Sequence, residues 1–206
     1  MAEFKTEQEQ FWHGDFGNEY VDRNKDSQHI RSNIALFAKV FSKMGKINSL
    51  LEFGANIGLN LTAINCLISD LDLAAIEINE KAAKQLKENN SGVNIYRKSI
   101  LDFDEAKTWD LTLIKGVLIH IAPEALQDVY EKLYKHSSRY ICVCEYYNPN
   151  PVEITYRGHE GRLFKRDFAG EIMDKFPNLE LVDYGFTYHR DKNFPQDDVT
   201  WFLLKK

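Results

Sequence analysis

The sequence predicts an α/β fold: a seven-stranded, mostly parallel sheet with helices on both faces and an antiparallel last strand. Three observations carry this. Short apolar runs alternate with amphipathic helical stretches. The runs are apolar nearly throughout, as strands covered on both faces are. The last two runs have no helix between them, so they are expected to pair antiparallel. A length of 206 residues suits a single structural domain, read as an N-terminal lid and helix over 1–45 and the main domain over 46–206.

Taken in order, the first forty-odd residues are an arm followed by a helix. Ile30, Ile34, Phe37, Phe41 and Met44 recur at spacings of four and three, one stripe of a helix that Gly45 would end. Residues 49–53 form a first strand, followed by a glycine-bearing turn, 54–58. The next helix runs to about Ser69, with Leu61, Ile64, Leu67 and Ile68 on one face. Strands follow at 71–78, 93–97, 110–115 and 140–145, with a lysine-rich helix over 80–90 after the first of them. Between the last two lies a helix with Pro123 in its first turn and Leu126, Val129, Tyr130, Leu133 and Tyr134 as its buried stripe. A loop over 145–162 holds Pro149 and Pro151. Asp167 is the expected N-cap of a further helix that Pro177 stops. Strands at 179–186 and 199–204 close the chain, joined by the long, unpatterned stretch 187–198.

Hydrophobic residues at 44% and charged residues at 28% exclude an extended disordered chain. A formal net charge of −5, from 26 basic and 31 acidic residues, makes a poor generic binder of nucleic acid or anionic membrane. No apolar run reaches the roughly 18–20 residues that span a bilayer. The acidic, polar start does not read as a secretory signal, and Cys66, Cys142 and Cys144 make no disulfide framework. A reducing cytoplasm is therefore the expected compartment. Oligomeric state is not legible.

Ligands of such sheets bind outside the carboxyl ends of the strands, where strand order reverses. The turn after the first strand reads Glu52-Phe53-Gly54-Ala55-Asn56-Ile57-Gly58. Its glycines permit a tight turn and close backbone approach, and the helix that follows points free N–H groups at the same spot. Glu77 ends the second strand, nineteen residues beyond Gly58, where a carboxylate accepts hydrogen bonds from both ribose hydroxyls. The bland alternative is a plain turn and a solvated strand end. A dinucleotide fingerprint wants G-x-G-x-x-G; here Asn56 stands where a middle glycine would be. Glu52 would repel a pyrophosphate but can hold an ammonium group. A cofactor with an amino-acid moiety, a sulfonium and an adenosine fits that charge pattern better. An NAD-dependent oxidoreductase with the same ribose acid and a non-catalytic binding module stand as rivals.

These residues resemble motif I of the class I S-adenosylmethionine-dependent methyltransferases, a Rossmann-like fold with a closing antiparallel strand, and the resemblance implies S-adenosyl-L-methionine as the cofactor. Glu77 is similar to their ribose acid, the string Ser99 to Asp102 to their adenine-edge motif, and 109–121 to their fourth motif and the loop after it. A narrower resemblance, to the pseudaminic acid biosynthesis-associated methylase family, covers nearly the whole chain. It rests on Phe11, Trp12, Gly14, Phe16, Gly17, Tyr20, Arg23 and Asn24, and on the strings 115–121, 145–149, 156–158, 164–171, 183–186, 188–191, 194–198 and 200–204. That resemblance implies a methyltransferase linked to nonulosonic-acid pathways and leaves the acceptor atom open. The second glycine of motif I is replaced by Asn56, whose side chain could cap the helix or touch the methionine carboxylate.

Methyl transfer from a sulfonium is an in-line displacement that needs alignment, exclusion of water and, for an alcohol or amine acceptor, a base. A carboxylate acceptor needs only positioning. Catalytic candidates in the loops after the fourth and fifth strands are His120, Glu145 and Tyr146. Expected at the cofactor are Trp12, Arg23, Glu52, Gly54, Asn56, Gly58, Glu77, Ile78, Ser99, Ile100 and Lys115. Phe11, Trp12, Phe16 and Tyr20 would form a lid, with Arg23 reaching the methionine carboxylate, or else a plain hydrophobic strap. Tyr147, Tyr156, Arg157, Arg166, His189 and Arg190 are expected at the substrate, a small acidic sugar or nucleotide sugar that arginine forks would meet well. Each is otherwise a surface group. No metal is expected: Asp197 and Asp198 lack a further ligand cluster, and Cys142 and Cys144 share one strand face as structural residues.

Overall fold

In a computed structural model, residues 4–23 and 27–206 are described. The N-terminal arm forms two short helices, α1 (Glu7–His13) and α2 (Asp15–Arg23), ahead of α3 (Ser27–Phe41). Then follow β1 (Ser49–Phe53), α4 (Leu59–Leu67), β2 (Asp72–Ile76), α5 (Glu80–Asn89), β3 (Asn94–Tyr96), β4 (Trp109–Lys115), α6 (Leu126–His136) and β5 (Ser137–Glu145). The chain ends with β6 (Val152–Tyr156), β7 (His159–Lys165), α7 (Phe168–Lys175), β8 (Glu180–Phe186) and β9 (Thr200–Lys205). A seven-stranded sheet runs in the order β3-β2-β1-β4-β5-β9-β8. Neighbours from β3 to β5 are parallel, and β9 lies antiparallel between β5 and β8.

Successive residues of each strand face opposite sides, so the sheet builds two cores. On one side Leu50, Leu111, Leu113 and Leu203 meet Phe37 and Val40 of α3 and Leu61 and Ile64 of α4. On the other, Phe53, Ile114, Ile141 and Leu204 meet Val129 and Leu133 of α6 and Phe168 and Ile172 of α7. Both faces being covered is why these strands read as largely apolar runs with no strict alternation. Asp167 caps α7 as expected, accepting from the Gly170 N–H at 2.9 Å. No described helix is long and apolar enough to cross a membrane.

Two stretches differ from the sequence expectation. The stretch expected as a loop over 145–162 holds β6 and the start of β7, an antiparallel hairpin that runs on to Lys165 and turns at Arg157 and Gly158, both with positive φ. The arm is helical. Thr6 and Glu9 form a reciprocal capping box at the start of α1, and no residue of α1 is fully buried. An aromatic helix lying on a surface has no single apolar stripe, so its period is hidden.

Candidate active site

β1 is flanked by β2 and β4, so strand order reverses there. Outside the carboxyl ends of these strands lies a cavity of about 260 Å³. The turn after β1, the tips of β2 and β4, the loop after β3, the α1–α2 arm and Gln196–Asp197 wall it.

The turn is built on left-handed backbone at Gly54 (φ 74°), Asn56 (φ 48°) and Gly58 (φ 81°). A Cβ on Gly54 would lie 2.7 Å from Val117 Cγ2, so the missing side chain lets the tips of β1 and β4 close together. Glu77 ties the turn to the next strand. Its two carboxylate oxygens accept from the backbone N–H groups of Asn56 and Asn79, each at 2.7 Å. Burial pushes the Glu77 pKa up, and the N–H groups of Asn79, Asn56 and Ile78 pull it back. The carboxylate is on the cavity wall with lone pairs to spare. Asn56 lines the cavity; it does not cap α4, whose N-cap is Gly58 with no side-chain bond.

Glu52 is wholly buried behind this wall, and Asn60, which lines the cavity, donates Nδ2–H to its Oε1 at 2.6 Å. Its Oε2 is buried and has no partner among the described residues. Burial lifts its pKa to about 8, with Asn60 and the Lys115 charge pulling down and Glu77 pushing up. Folded chains therefore hold a proton here that unfolded chains release above pH 4.5. The stabilisation is complete below 4.5 and is lost as pH rises through about 8. Glu52→Gln imitates the protonated form and keeps the Asn60 bond. It should melt with the wild type at pH 5 and roughly 5 °C higher at pH 9 by calorimetry.

The arm roofs the cavity. Asn79 Nδ2 reaches the carbonyls of Trp12 and His13, both at 3.2 Å, and Asn18 Oδ1 at 3.0 Å. Trp12, Gly17 and Tyr20 line the cavity, with the Trp12 ring 5.2 Å from Tyr20 and 4.7 Å from His120. Trp12 Nε1 is buried and has no partner among the described residues. Ile78, Ser99 and Ile100 form the wall beyond Glu77. Arg23 lies over Phe16 and Tyr20, pairs with Glu19 at 3.7 Å, and is not among the lining residues. Asn24 lies outside the described residues.

His120 sits in a 3-10 turn, Leu118–His120, and lines the cavity. Its Nδ1 is 2.6 Å from the Arg162 carbonyl. A carbonyl only accepts, so Nδ1 carries the proton and Nε2 is the basic nitrogen. Burial lowers the ring's pKa to about 4, so it is neutral at pH 7. Glu145 holds that turn from below. Its Oε1 accepts from the Val117 and Leu118 N–H groups at 2.9 Å each, while its buried Oε2 has no partner among the described residues. Burial lifts the Glu145 pKa to about 7. Neither Glu145 nor Tyr146 is on the cavity wall; Lys115 is. The Tyr146 hydroxyl is pushed up by burial and by Asp197.

The residues expected at the substrate scatter. The Tyr156 ring lies tilted against His120 at 4.9 Å, and Arg157 is exposed on the hairpin turn over Tyr156. Arg166 pairs with Glu171 at 2.6 Å and His189 with Asp198 at 2.9 Å. Arg190 and Tyr147 are exposed. No described arginine lines the cavity, whose basic lining residues are Lys98, Lys115 and two histidines. Neighbouring acids hold Arg166 and His189, and the hairpin carries Arg157 away. Sequence reasoning missed Glu9, Asn60 and Asn79 as wall residues. The Thr6-x-x-Glu9 pattern and the N-cap position of Asn79 were the available signals.

No family model matches this sequence, and no curated protein does. Solved structures do match its fold. The plantazolicin methyltransferase BpumL, in complex with a monoazolic desmethylPZN analog and SAH, has a TM-score of 0.69 at 16% identity, covering 96% of this chain and 93% of its own. The 1,6-didemethyltoxoflavin-N1-methyltransferase of Burkholderia thailandensis, with S-adenosylhomocysteine bound, has a TM-score of 0.72 at 15% identity, covering 100% and 92%. Magnesium protoporphyrin IX methyltransferase from Synechocystis PCC 6803, with bound SAH, has a TM-score of 0.68 at 10% identity, covering 96% and 97%. From end to end, the chain has the Rossmann-like α/β fold of these methyltransferases.

Proposed function

We propose that this chain is an S-adenosylmethionine-dependent methyltransferase. The observation that carries the reading is Glu77, a buried carboxylate at the tip of β2, bonded to the backbone of the glycine turn and facing the cavity. The fold neighbours crystallised with S-adenosylhomocysteine support it. So does Glu52 Oε2, which Asn60 sets behind the wall and which has no partner among the described residues: an ammonium group beside it would draw Glu52 from the protonated form that burial favours to the carboxylate.

Bound there, the cofactor would supply a methyl group already activated on sulfur. The chain's own residues do the rest. Glu77 accepts from the ribose hydroxyls, and Glu52 with Asn60 favours the amine end. Trp12 and Tyr20 keep water out, and His120 Nε2 takes the proton of an alcohol or amine acceptor. The finer reading of the acceptor is a small acidic sugar of nonulosonic type, free, activated or glycan-linked. Its support is the extended sequence resemblance and Lys115 on the wall. The free thiols of Cys66, Cys142 and Cys144 suit a cytoplasmic setting.

Titration calorimetry with S-adenosylhomocysteine and with NAD tests the cofactor. Micromolar binding of the first and none of the second is expected; the reverse would favour an oxidoreductase. Transfer of labelled methyl from S-adenosylmethionine into nucleotide sugars, set against neutral sugars, tests the acceptor.

A further inference from the structure

The α1 helix brings a carboxylate to the cavity from outside the sheet. Glu9 lines the cavity. Its Oε2 accepts from the backbone N–H groups of Lys5 at 2.6 Å and Thr6 at 2.9 Å, which fixes the side chain as part of the helix cap. That leaves Oε1 turned to the loop after β3, where it accepts from the Ser99 hydroxyl. Ser99 Oγ in turn accepts from the Leu101 N–H at 3.0 Å, so its proton is committed to Glu9. Glu9 Oε1 therefore keeps a second lone pair for a ligand donor.

The strand order says which part of a ligand meets it. β3 lies on the far side of β2 from β1. A nucleoside whose ribose sits on Glu77 and whose other end points to the β1 turn must send its base toward the loop after β3. The apolar side chains of Ile78 and Ile100 line that end, suited to the faces of a flat ring. Glu9 then faces the ring's edge, and a carboxylate on an edge selects a donor, an exocyclic amine, over a carbonyl.

We infer that Glu9 is the residue that selects an adenine over a 6-oxo purine in this site. The inference rests on the S-adenosyl reading above and adds to it. One helix both covers the cavity and reads the base. Glutamine at position 9 preserves the cap, because its amide oxygen can take the Thr6 N–H. Its NH2 group is then left facing the base edge, where it opposes an amine and suits a carbonyl.

The test is calorimetric titration of S-adenosylhomocysteine and S-inosylhomocysteine into wild type, Glu9→Gln and Thr6→Ala. Wild type should prefer the adenosyl ligand by about tenfold or more. Glu9→Gln should bring the ratio close to parity. Thr6→Ala loosens the helix cap without touching the carboxylate, so it should weaken both ligands together and keep the ratio. A Glu9→Gln protein that retains the wild-type ratio overturns the assignment of Glu9 while leaving the cofactor reading standing. Should the wild type bind neither ligand, the cofactor reading falls and this inference falls with it.

Discussion

Glu77→Ala should lose S-adenosylhomocysteine binding by at least about a hundredfold. A hydrogen bond to a carboxylate contributes roughly 1.5–3 kcal/mol, and a ribose diol makes two. The same substitution strips the acceptors from the Asn56 and Asn79 N–H groups. Each buried orphan costs about 1–3 kcal/mol, so the melting temperature should fall by roughly 5–10 °C. Binding must therefore be measured where circular dichroism shows the variant folded. Glu77→Gln separates the two effects, since it keeps the volume and one acceptor oxygen. It should recover part of the stability and little of the affinity. Affinity within threefold of wild type for both variants would remove Glu77 from the cofactor site.

The second large effect is at His120. His120→Asn should lower kcat by about 10²–10⁴-fold while changing S-adenosylhomocysteine affinity by less than about threefold. The pH profile carries the sharper signature. Burial holds the ring's pKa at about 4, below its ordinary 6.5, so the base form persists from neutrality down to about pH 5. The acid limb of kcat/KM should then lie near pH 4, shifted down from the position of an exposed histidine, and it should vanish in the variant. An unchanged kcat in His120→Asn would mean an acceptor that needs no base, such as a carboxylate.

Much of this fold is written locally. The β1, β4 and β5 strands announce themselves because both their faces are buried, which concentrates apolar residues on both sides of each strand. The site acids Glu52 and Glu77 are legible for a related reason: each ends such a run next to the glycine turn. The β6–β7 hairpin was harder to see. Val152, Ile154 and Tyr156 alternate with polar residues, but Pro149 and Pro151 just before them signal a loop. Partners distant in sequence could not be read at all. Glu9 meets Ser99 across 90 positions and His120 meets Arg162 across 42, and only the topology brings them together. The arginines show the converse limit. Residue type says what Arg166 can bind, but the nearer carboxylate of Glu171 claims it.

Crystals grown with S-adenosylhomocysteine test the central claim most directly. The ligand should lie in the cavity between the tips of β1, β2 and β4, with its ribose hydroxyls within hydrogen-bond distance of the Glu77 carboxylate and its amine toward Asn60 and Glu52. A ligand bound elsewhere on the chain, or a cavity still empty at saturating ligand, would contradict the account.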